Sequence, residues 1–309
     1  MTTQNKQQYH IRNWRDYNKA LVGRGSLTLW LDTHSLDTWL NVEPAARRGR
    51  SRTYTDVAIL CSLLLREVYH LPLRATQGLV CSVLRLLEVE LPVPDYSTLS
   101  RRARSLQLSL SAHNRKQIKH QVIDSTGLKL YGEGQWRVRQ HEWAKHRTWR
   151  KLHLCIDADA HEVTAALITN KDVVDPRGLP PLLKGVEGSI ECVLADGAYD
   201  ARECYKTLHQ RGARAIIPPR KGSVLWIDEY LTDRNNNLRQ VQKLGTKRWK
   251  RKVKYHRRSL VETAIFRLKT LFSDRLRARA VDRQGTEVLV RCFALNRMTK
   301  LGMPQSYAV

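Results

Sequence analysis

The feature that most constrains the fold is a change of hydrophobic period near residue 118. From there on, short apolar runs with strand character occur at 120–124, 152–157, 162–168, 190–195 and 213–217. Helical segments at 179–186 and 201–210 separate the later runs, and a long helix over 256–272 follows a polar, basic loop. Three consecutive strands followed by alternating helix and strand predict an α/β domain with one mixed sheet flanked by helices.

The chain is also strongly basic. Its 54 Lys and Arg outnumber its 29 Asp and Glu, which makes the formal net charge +25. Disorder is excluded as a general explanation because apolar residues still make up 42% of the sequence, enough for a buried core. A field of this size indicates a polyanionic partner, and nucleic acid is the usual one.

Other features exclude export and membrane insertion. The longest apolar run, over 57–65, is far shorter than the roughly 20 residues that cross a bilayer. The first eight residues contain no apolar signal core. The six cysteines are dispersed without a Cys-x-x-Cys pair, which favours reduced buried thiols over disulfides or zinc ligands. We therefore expect a cytoplasmic protein.

The part of the chain before the strands is predicted to be helical. Helices are expected at 57–68 and 73–87, and Asp95 is placed to cap a third that runs to Leu106. Three short helices suit a helix-turn-helix module over about 57–107, whose third helix would reach DNA. Its candidate DNA-binding residues are Ser97, Thr98, Arg101 and Arg102. The alternative is a helical bundle whose arginines form only a solvated surface.

Two carboxylates follow apolar strands directly. Asp124 ends the first predicted strand and Asp196 ends the fourth. Open sheets present their ligand crevice at strand ends of this kind, so a site is predicted there. Each residue taken alone also fits an ordinary turn or cap. Asp200, with Glu203 three residues later, is expected to cap the helix at 201–210 in a capping box.

A third carboxylate lies in a region of positive charge. Between Arg234 and Arg279 there are sixteen Lys and Arg and only two acids, one of them Glu262. On the predicted helix, Glu262 lies on one narrow face at the rim of the apolar stripe. Its companions on that face are Tyr255, Arg258 and Lys269. This pattern fits either a functional acid or an ordinary surface network.

Three convergent carboxylates suit a hard divalent cation. Magnesium binds a few carboxylates together with water and phosphate oxygens, and two such ions promote phosphodiester chemistry. The candidate ligands are Asp124, Asp196 and Glu262. The surrounding cations cannot ligate a metal, but they can hold a nucleic-acid backbone.

These residues carry a resemblance to a known family. The spacing Tyr255-x2-Arg258-x3-Glu262-x6-Lys269 resembles the Tyr-Arg-Glu-Lys signature of DDE transposases encoded by bacterial insertion sequences. The sequences Asp-Ser-Thr-Gly from Asp124 and Ala-Asp-Gly-Ala-Tyr around Asp196 resemble the segments that carry the family's first two catalytic acids. The resemblance covers about residues 95–300 and implies an RNase H-like catalytic domain.

The resemblance also implies roles for single residues. Asp124, Asp196 and Glu262 would be catalytic and would bind two Mg²⁺ ions, with Mn²⁺ as a substitute. Water would cleave the end of the element to leave a 3′-hydroxyl, which would then attack target DNA. Tyr255, Arg258 and Lys269 would contact DNA near the cleaved end.

A second basic segment lies between the first two predicted strands. Residues 135–153 contain six Lys and Arg and one acid, with three tryptophans interleaved. Cations that follow phosphates and aromatics that stack on unpaired bases are typical of proteins that bind distorted DNA. The candidates are Trp136, Trp143, Trp149, Arg147 and Arg150. Anchoring of the tryptophans in the core is the alternative.

The sequence as a whole predicts an insertion-sequence transposase. We expect a helical DNA-binding region over 1–115 and an RNase H-like DDE catalytic domain over 116–303. Its partners would be transposon ends and target DNA, and joining two ends implies a homodimer in the synaptic complex. We expect it in the bacterial cytoplasm, bound to the nucleoid. The competing interpretations are a DNA-binding regulator without catalysis and an RNase H-like nuclease that cuts but does not join.

Overall fold

A computed structural model of the chain describes residues 9–42, 53–110, 117–130 and 149–308. Contacts between Cα atoms divide the chain into two compact units, Met1–Arg102 with Ala294–Val309, and Ala103–Phe293. Each unit is described by itself below. The division into domains 1–115 and 116–303 stays a prediction.

The first unit is largely helical. A short strand, β1 (Tyr9–Ile11), pairs antiparallel with Ser306–Ala308. Its helices are α1 (Trp14–Gly23), α2 (Thr33–Asp37), α3 (Asp56–Val68), α4 (Leu73–Leu86) and α5 (Tyr96–Arg102). Trp30 and Trp39 are fully buried and anchor the packing.

Helices α3, α4 and α5 pack against one another, and their starts follow from the sequence. Thr55 caps α3 by accepting a hydrogen bond from the Ala58 amide, and Asp95 accepts from the amides of Ser97 and Thr98 at the start of α5. Residues 87–95 link α4 to α5, a longer connection than the roughly three- to four-residue turn of a helix-turn-helix. The helix-turn-helix therefore stays a prediction.

The second unit contains a six-stranded mixed sheet. Its strands are β2 (Gln117–Leu130), β3 (Trp149–Asp157), β4 (Glu162–Asn170), β5 (Ser189–Leu194), β6 (Arg214–Ile216) and β7 (Arg275–Leu276). The order is β4-β3-β2-β5-β6, with β7 pairing β2. The pairs β2/β3 and β3/β4 are antiparallel, whereas β2/β5 and β5/β6 are parallel. The predicted mixed sheet is confirmed.

Helices flank this sheet, as predicted. They are α6 (Asp175–Lys184), α7 (Arg202–Gln210), α8 (Thr232–Leu244), α9 (Thr246–Lys252), α10 (Ser259–Phe272) and α11 (Val281–Leu301), the last of which passes into the other unit at Ala294. Leu179, Leu183 and Leu208 of α6 and α7 join a buried cluster with Val193 of β5. Each such side chain stabilises the fold by about 1.5–3 kcal/mol.

The sequence did not predict α8 and α9, which occupy the expected basic loop. The reason is that α8 docks through polar side chains. Asp233 accepts a hydrogen bond from the Ala215 amide at 2.8 Å, and Asn237 donates to the Ala215 carbonyl at 2.8 Å. These bonds satisfy backbone groups of β6, the last strand in the sheet order. They attach the helix to the sheet without requiring an apolar stripe along it. A hydrophobic-period analysis cannot detect such a helix.

All six cysteines are free, and all except Cys81 are buried. Burial raises the pKa of the Cys155 and Cys292 thiols to about 12, so both remain protonated at neutral pH. Among the described residues, no helix combines the length and apolar character needed to cross a bilayer.

His153 on β3 is fully buried beneath α6. Its Nε2 lies 2.9 Å from Thr169 Oγ1, and a Cβ added at Gly178 would lie 2.5 Å from the imidazole ring. Only glycine leaves room for the imidazole at this position of α6. Burial lowers the pKa of His153 to about 4, with a smaller contribution from Lys151 and an opposing one from Asp175. The ring is therefore neutral at physiological pH.

We expect this histidine to make the protein acid-sensitive. Its pKa is about 6.5 in the unfolded chain and about 4 in the folded chain, so the unfolded state binds the extra proton. The free energy of unfolding is unaffected by this group above pH 6.5. It then falls by up to about 3 kcal/mol as the pH drops towards 4. Urea unfolding between pH 7.5 and 4.5 measures this loss. His153→Gln removes that part of the pH dependence, and equal slopes for both proteins would contradict the assignment.

Candidate active site

Asp124 and Asp196 lie side by side because of strand register. Val122 on β2 pairs with Leu194 on the parallel strand β5. Each aspartate lies two residues beyond its member of this pair, so both occupy the same level of neighbouring strands. Asp124 was predicted to end its strand. It does not, because β2 continues to Leu130 and pairs there with β3 and β7.

Backbone amides orient the two aspartates. The Ser125 amide donates to Asp124 Oδ1 at 2.8 Å, and the Ala198 amide donates to Asp196 Oδ1 at 2.9 Å. Asp196 thereby caps the 3₁₀ turn Gly197–Tyr199 that follows β5. Burial is the main effect that raises the pKa of Asp124, and the neighbouring Asp196 charge adds to it. A buried carboxylate with a second one beside it favours a bound cation.

Glu262 reaches the same site from another element. It lies in the first turn of α10, which packs against β2 and β3. Arg258 joins the acids: its guanidinium donates to Asp124 Oδ2 at 3.0 Å and also to Glu262. Although burial opposes its charge, these two carboxylates and Asp196 raise the pKa of Arg258. Arg258 thus links two of the three predicted acids.

The other two residues of the predicted signature bond to the segments that carry the acids. The Tyr255 hydroxyl donates to the carbonyl of Ala195, the residue before Asp196, at 3.3 Å. Lys269 Nζ donates to Thr126 Oγ1, two residues after Asp124, at 2.6 Å. Burial raises the pKa of Tyr255 to about 12, so its hydroxyl stays protonated. The structure brings the four signature residues to one place.

The donor set fits a divalent ion in its chemistry. Asp124, Asp196 and Glu262 offer carboxylate oxygens, the ligands that Mg²⁺ prefers. Within the described parts of the chain, no three acidic, His or Cys side chains are already grouped to hold an ion. Instead, the Arg258 guanidinium forms ion pairs with the carboxylates of Asp124 and Glu262. A bound divalent ion would have to replace these contacts.

A cationic surface precedes the glutamate in the chain. Helix α9 carries five exposed cations: Lys247, Arg248, Lys250, Arg251 and Lys252. No described acid forms an ion pair with any of these side chains. Trp249 is fully buried and stacks at a tilt on Tyr255, with ring centroids 5.9 Å apart. This stacking ties the basic helix to the turn that contains Tyr255 and Arg258. Unpaired exposed cations of this kind suit a phosphate backbone.

The second basic segment is only partly described. Trp136, Trp143 and Arg147 lie outside the described residues. The ring of Trp149 covers Gly127, where an added Cβ would lie 2.9 Å from it. Arg150 donates to Gln284 Oε1 at 3.0 Å and to Asn170.

The predicted amino-terminal DNA-binding residues differ in their accessibility. Arg101 is exposed and donates to Thr98 Oγ1, and Ser97 and Thr98 both bond to Asp95. Arg102 is half-buried and donates to the Tyr54 carbonyl and to Asp56.

Two polar networks near the acids were not predicted from the sequence. Asp200 was expected to cap α7, but α7 begins after Ala201 without a side-chain cap. The Asp200 carboxylate instead accepts from Arg234, from the Tyr205 hydroxyl and from the Arg220 amide. The second network centres on Asp175, whose signal in the sequence is only an acid in the first turn of a helix.

Paired aspartates at one level of a mixed sheet, a glutamate on an adjoining helix and a cationic surface are an arrangement suited to acting on a polyanion. Residues 115–297 match the family described as the transposase DDE domain, and residues 22–133 match a second family of the same description. The chain belongs to the transposase DDE domain family, and it is a DDE-type transposase enzyme.

The chain is also similar to a solved transposase structure. The piggyBac transposase synaptic complex with hairpin DNA, determined by cryo-EM, shares 9% sequence identity with this chain at a TM-score of 0.35. The match covers 89% of this chain and 75% of that one.

Proposed function

We propose that this enzyme binds the terminal inverted repeats of an insertion sequence, cleaves DNA at its ends and joins the 3′-hydroxyl ends to target DNA. The observation that carries the proposal is the adjacency of Asp124 and Asp196 on neighbouring parallel strands, with Glu262 linked to Asp124 through Arg258. The family to which the chain belongs supports the same chemistry.

In this proposal, Asp124, Asp196 and Glu262 are the catalytic acids and hold two Mg²⁺ ions, with Mn²⁺ as a substitute. When bound, the ions activate the attacking oxygen and stabilise the leaving oxygen. The carboxylates hold their orientation through the amides of Ser125 and Ala198. Because cleavage leaves a 3′-hydroxyl, the same acids then serve its attack on a target phosphodiester.

The chain's cations position the DNA. Arg258, Tyr255 and Lys269 contact DNA near the cleaved end. A metal ion held by the acids would take the place of the Arg258 contacts to Asp124 and Glu262. The exposed cations of α9 follow the phosphate backbone. The second basic segment contributes Trp136, Trp143, Trp149, Arg147 and Arg150. The protein acts as a homodimer that pairs two ends, in the bacterial cytoplasm on nucleoid DNA.

The test uses the full chain with its flanking genomic DNA and Mg²⁺. We expect cuts that map to short inverted repeats bracketing the gene, and joining of a pre-cleaved 3′-hydroxyl end to plasmid DNA. Cutting without joining would identify a nuclease. Sequence-specific binding with neither reaction would identify a regulator. Sedimentation of the paired-end complex should show at least two protein chains, and one chain per complex would refute the dimer.

The domain at 1–115 is proposed to recognise the repeats, and Arg101 tests this. Arg101→Ala should weaken binding to the element's end by about 5–150-fold, and binding to random DNA much less, if the side chain reads bases. The control is Arg85→Ala, which changes an exposed arginine on a different helix, α4. Fluorescence anisotropy measures both affinities. Equal losses on both DNAs would make Arg101 a phosphate contact.

A further inference from the structure

A fourth carboxylate, on α6, bonds to the residue that follows Asp124. Asp175 is the first residue of that helix, where an acid is ordinarily favoured by the helix dipole. Its contacts extend beyond the helix, however. Asp175 Oδ1 accepts a hydrogen bond from Ser125 Oγ on β2 at 2.7 Å and lies 3.2 Å from Lys151 Nζ on β3. The carboxylate therefore joins the helix start to both central strands.

Ser125 connects this acid directly to a catalytic one. Its amide donates to Asp124 Oδ1 at 2.8 Å while its hydroxyl donates to Asp175. One residue thus bonds to both carboxylates and fixes their relative positions. Lys151 in turn is held by the Val173 carbonyl at 2.8 Å, just before α6. A displacement of the Ser125 backbone would disturb the orientation of the Asp124 carboxylate.

A buried hydroxyl provides independent evidence that this side of the site accommodates a ligand. Tyr199 is only 1% exposed, and its hydroxyl has no hydrogen-bond partner within the described regions. Burial raises its pKa, and the nearby charges of Asp175, Asp124 and Asp196 raise it further. An unpartnered hydroxyl costs about 1–3 kcal/mol. The charges of three carboxylates act on this hydroxyl, which is free to donate to an oxygen ligand.

We propose that Asp175 is a positioning residue of the transposase site, which orients Asp124 through Ser125 for binding a divalent ion. This inference rests on the proposed function and extends it from three acids to four. Asp175 itself keeps its bond to Ser125 and its ion pair with Lys151, so it need not touch the ion. Partners of this kind typically change metal affinity or activity by about 10–100-fold when they are removed.

The test compares Asp175→Asn and Ser125→Ala with the control Asp172→Asn. Asp172 is an exposed acid three residues earlier, so the control makes the same chemical change outside the network. Calorimetry without DNA measures Mg²⁺ affinity, and single-turnover cleavage is followed across Mg²⁺ and Mn²⁺ concentrations. We expect the first two variants to bind Mg²⁺ about 10–100-fold more weakly and to recover activity at high Mn²⁺.

The double variant separates positioning from general destabilisation. If Asp175 acts through Ser125, combining the two changes costs no more than one alone. Additive losses would overturn the inference, as would Mg²⁺ affinity equal to that of Asp172→Asn. If Asp175→Asn does not fold, the Mg²⁺ affinity of Ser125→Ala tests the same inference.

The proposed reaction can be refuted independently of the role of Asp175. A wild-type protein that binds Mg²⁺ without cleaving DNA would refute the proposed reaction, while the comparison of metal affinities would still decide the role of Asp175. A wild-type protein that binds no divalent ion would refute both.

Discussion

Replacing Asp124, Asp196 or Glu262 by alanine should abolish Mg²⁺-dependent cleavage while leaving DNA binding largely intact. In the proposed reaction, each change removes a carboxylate that would hold a metal ion. Such an ion supplies several kcal/mol of transition-state stabilisation, so the rate should fall by about 10³-fold or more. DNA affinity depends mainly on the cations, such as those of α9, which these changes leave in place.

Cleavage of a labelled end in single turnover measures the rate, and an electrophoretic shift in Ca²⁺ measures binding. Asp196→Asn refines the test because the amide oxygen can still accept from Ala198, so the turn after β5 keeps its cap. Asp228→Ala, at an exposed acid paired with Arg202, is the matched control and should cut normally. A variant that cuts at nearly the wild-type rate would remove its residue from the site.

Asp200→Ala should destabilise the second unit by about 3–5 kcal/mol. Asp200 and Arg234 form a buried ion pair at 3.0 Å, with side chains only 2% exposed, and Arg234 also lies 3.5 Å from the centre of the Trp226 ring. Removing the acid leaves a guanidinium buried without its counter-charge, which costs more than the loss of an exposed pair. Urea unfolding monitored by tryptophan fluorescence measures the change.

The same network supports the turn Gly197–Tyr199 that Asp196 caps, so we expect its loss to affect the candidate site. Arg220, whose amide bonds to Asp200, donates from its guanidinium to the carbonyls of Gly197 and Ala198. The exposed pair of Arg202 with Asp228 serves again as control, and its loss should cost less than about 1 kcal/mol. Double replacement of Asp200 and Arg234 by apolar residues should recover part of the stability. Equal, small losses for both pairs would contradict the assignment.

The sheet and the acids could be predicted from the sequence because local patterns specify them. Alternating apolar runs indicated the five main strands. The spacing from Tyr255 to Lys269 predicted four side chains on one helix face, but Tyr255 and Arg258 lie in a 3₁₀ turn that precedes the helix. Helix α8 could not be predicted, since Asp233 and Asn237 attach it to β6 by hydrogen bonds that leave no apolar period. Asp200 looked like a cap because its true partner, Arg234, is 34 residues away.

By itself, the sequence determined the class of fold, the family and the identity of the three candidate acids, because hydrophobic period, charge and residue spacing are properties of the chain alone. Tertiary structure alone decided that Val122 pairs with Leu194, which places Asp124 beside Asp196. It also decided that Arg258 lies between acids from two elements and that Asp175 reaches Ser125 across 50 residues. Such contacts depend on strand register and helix docking, which no local pattern specifies.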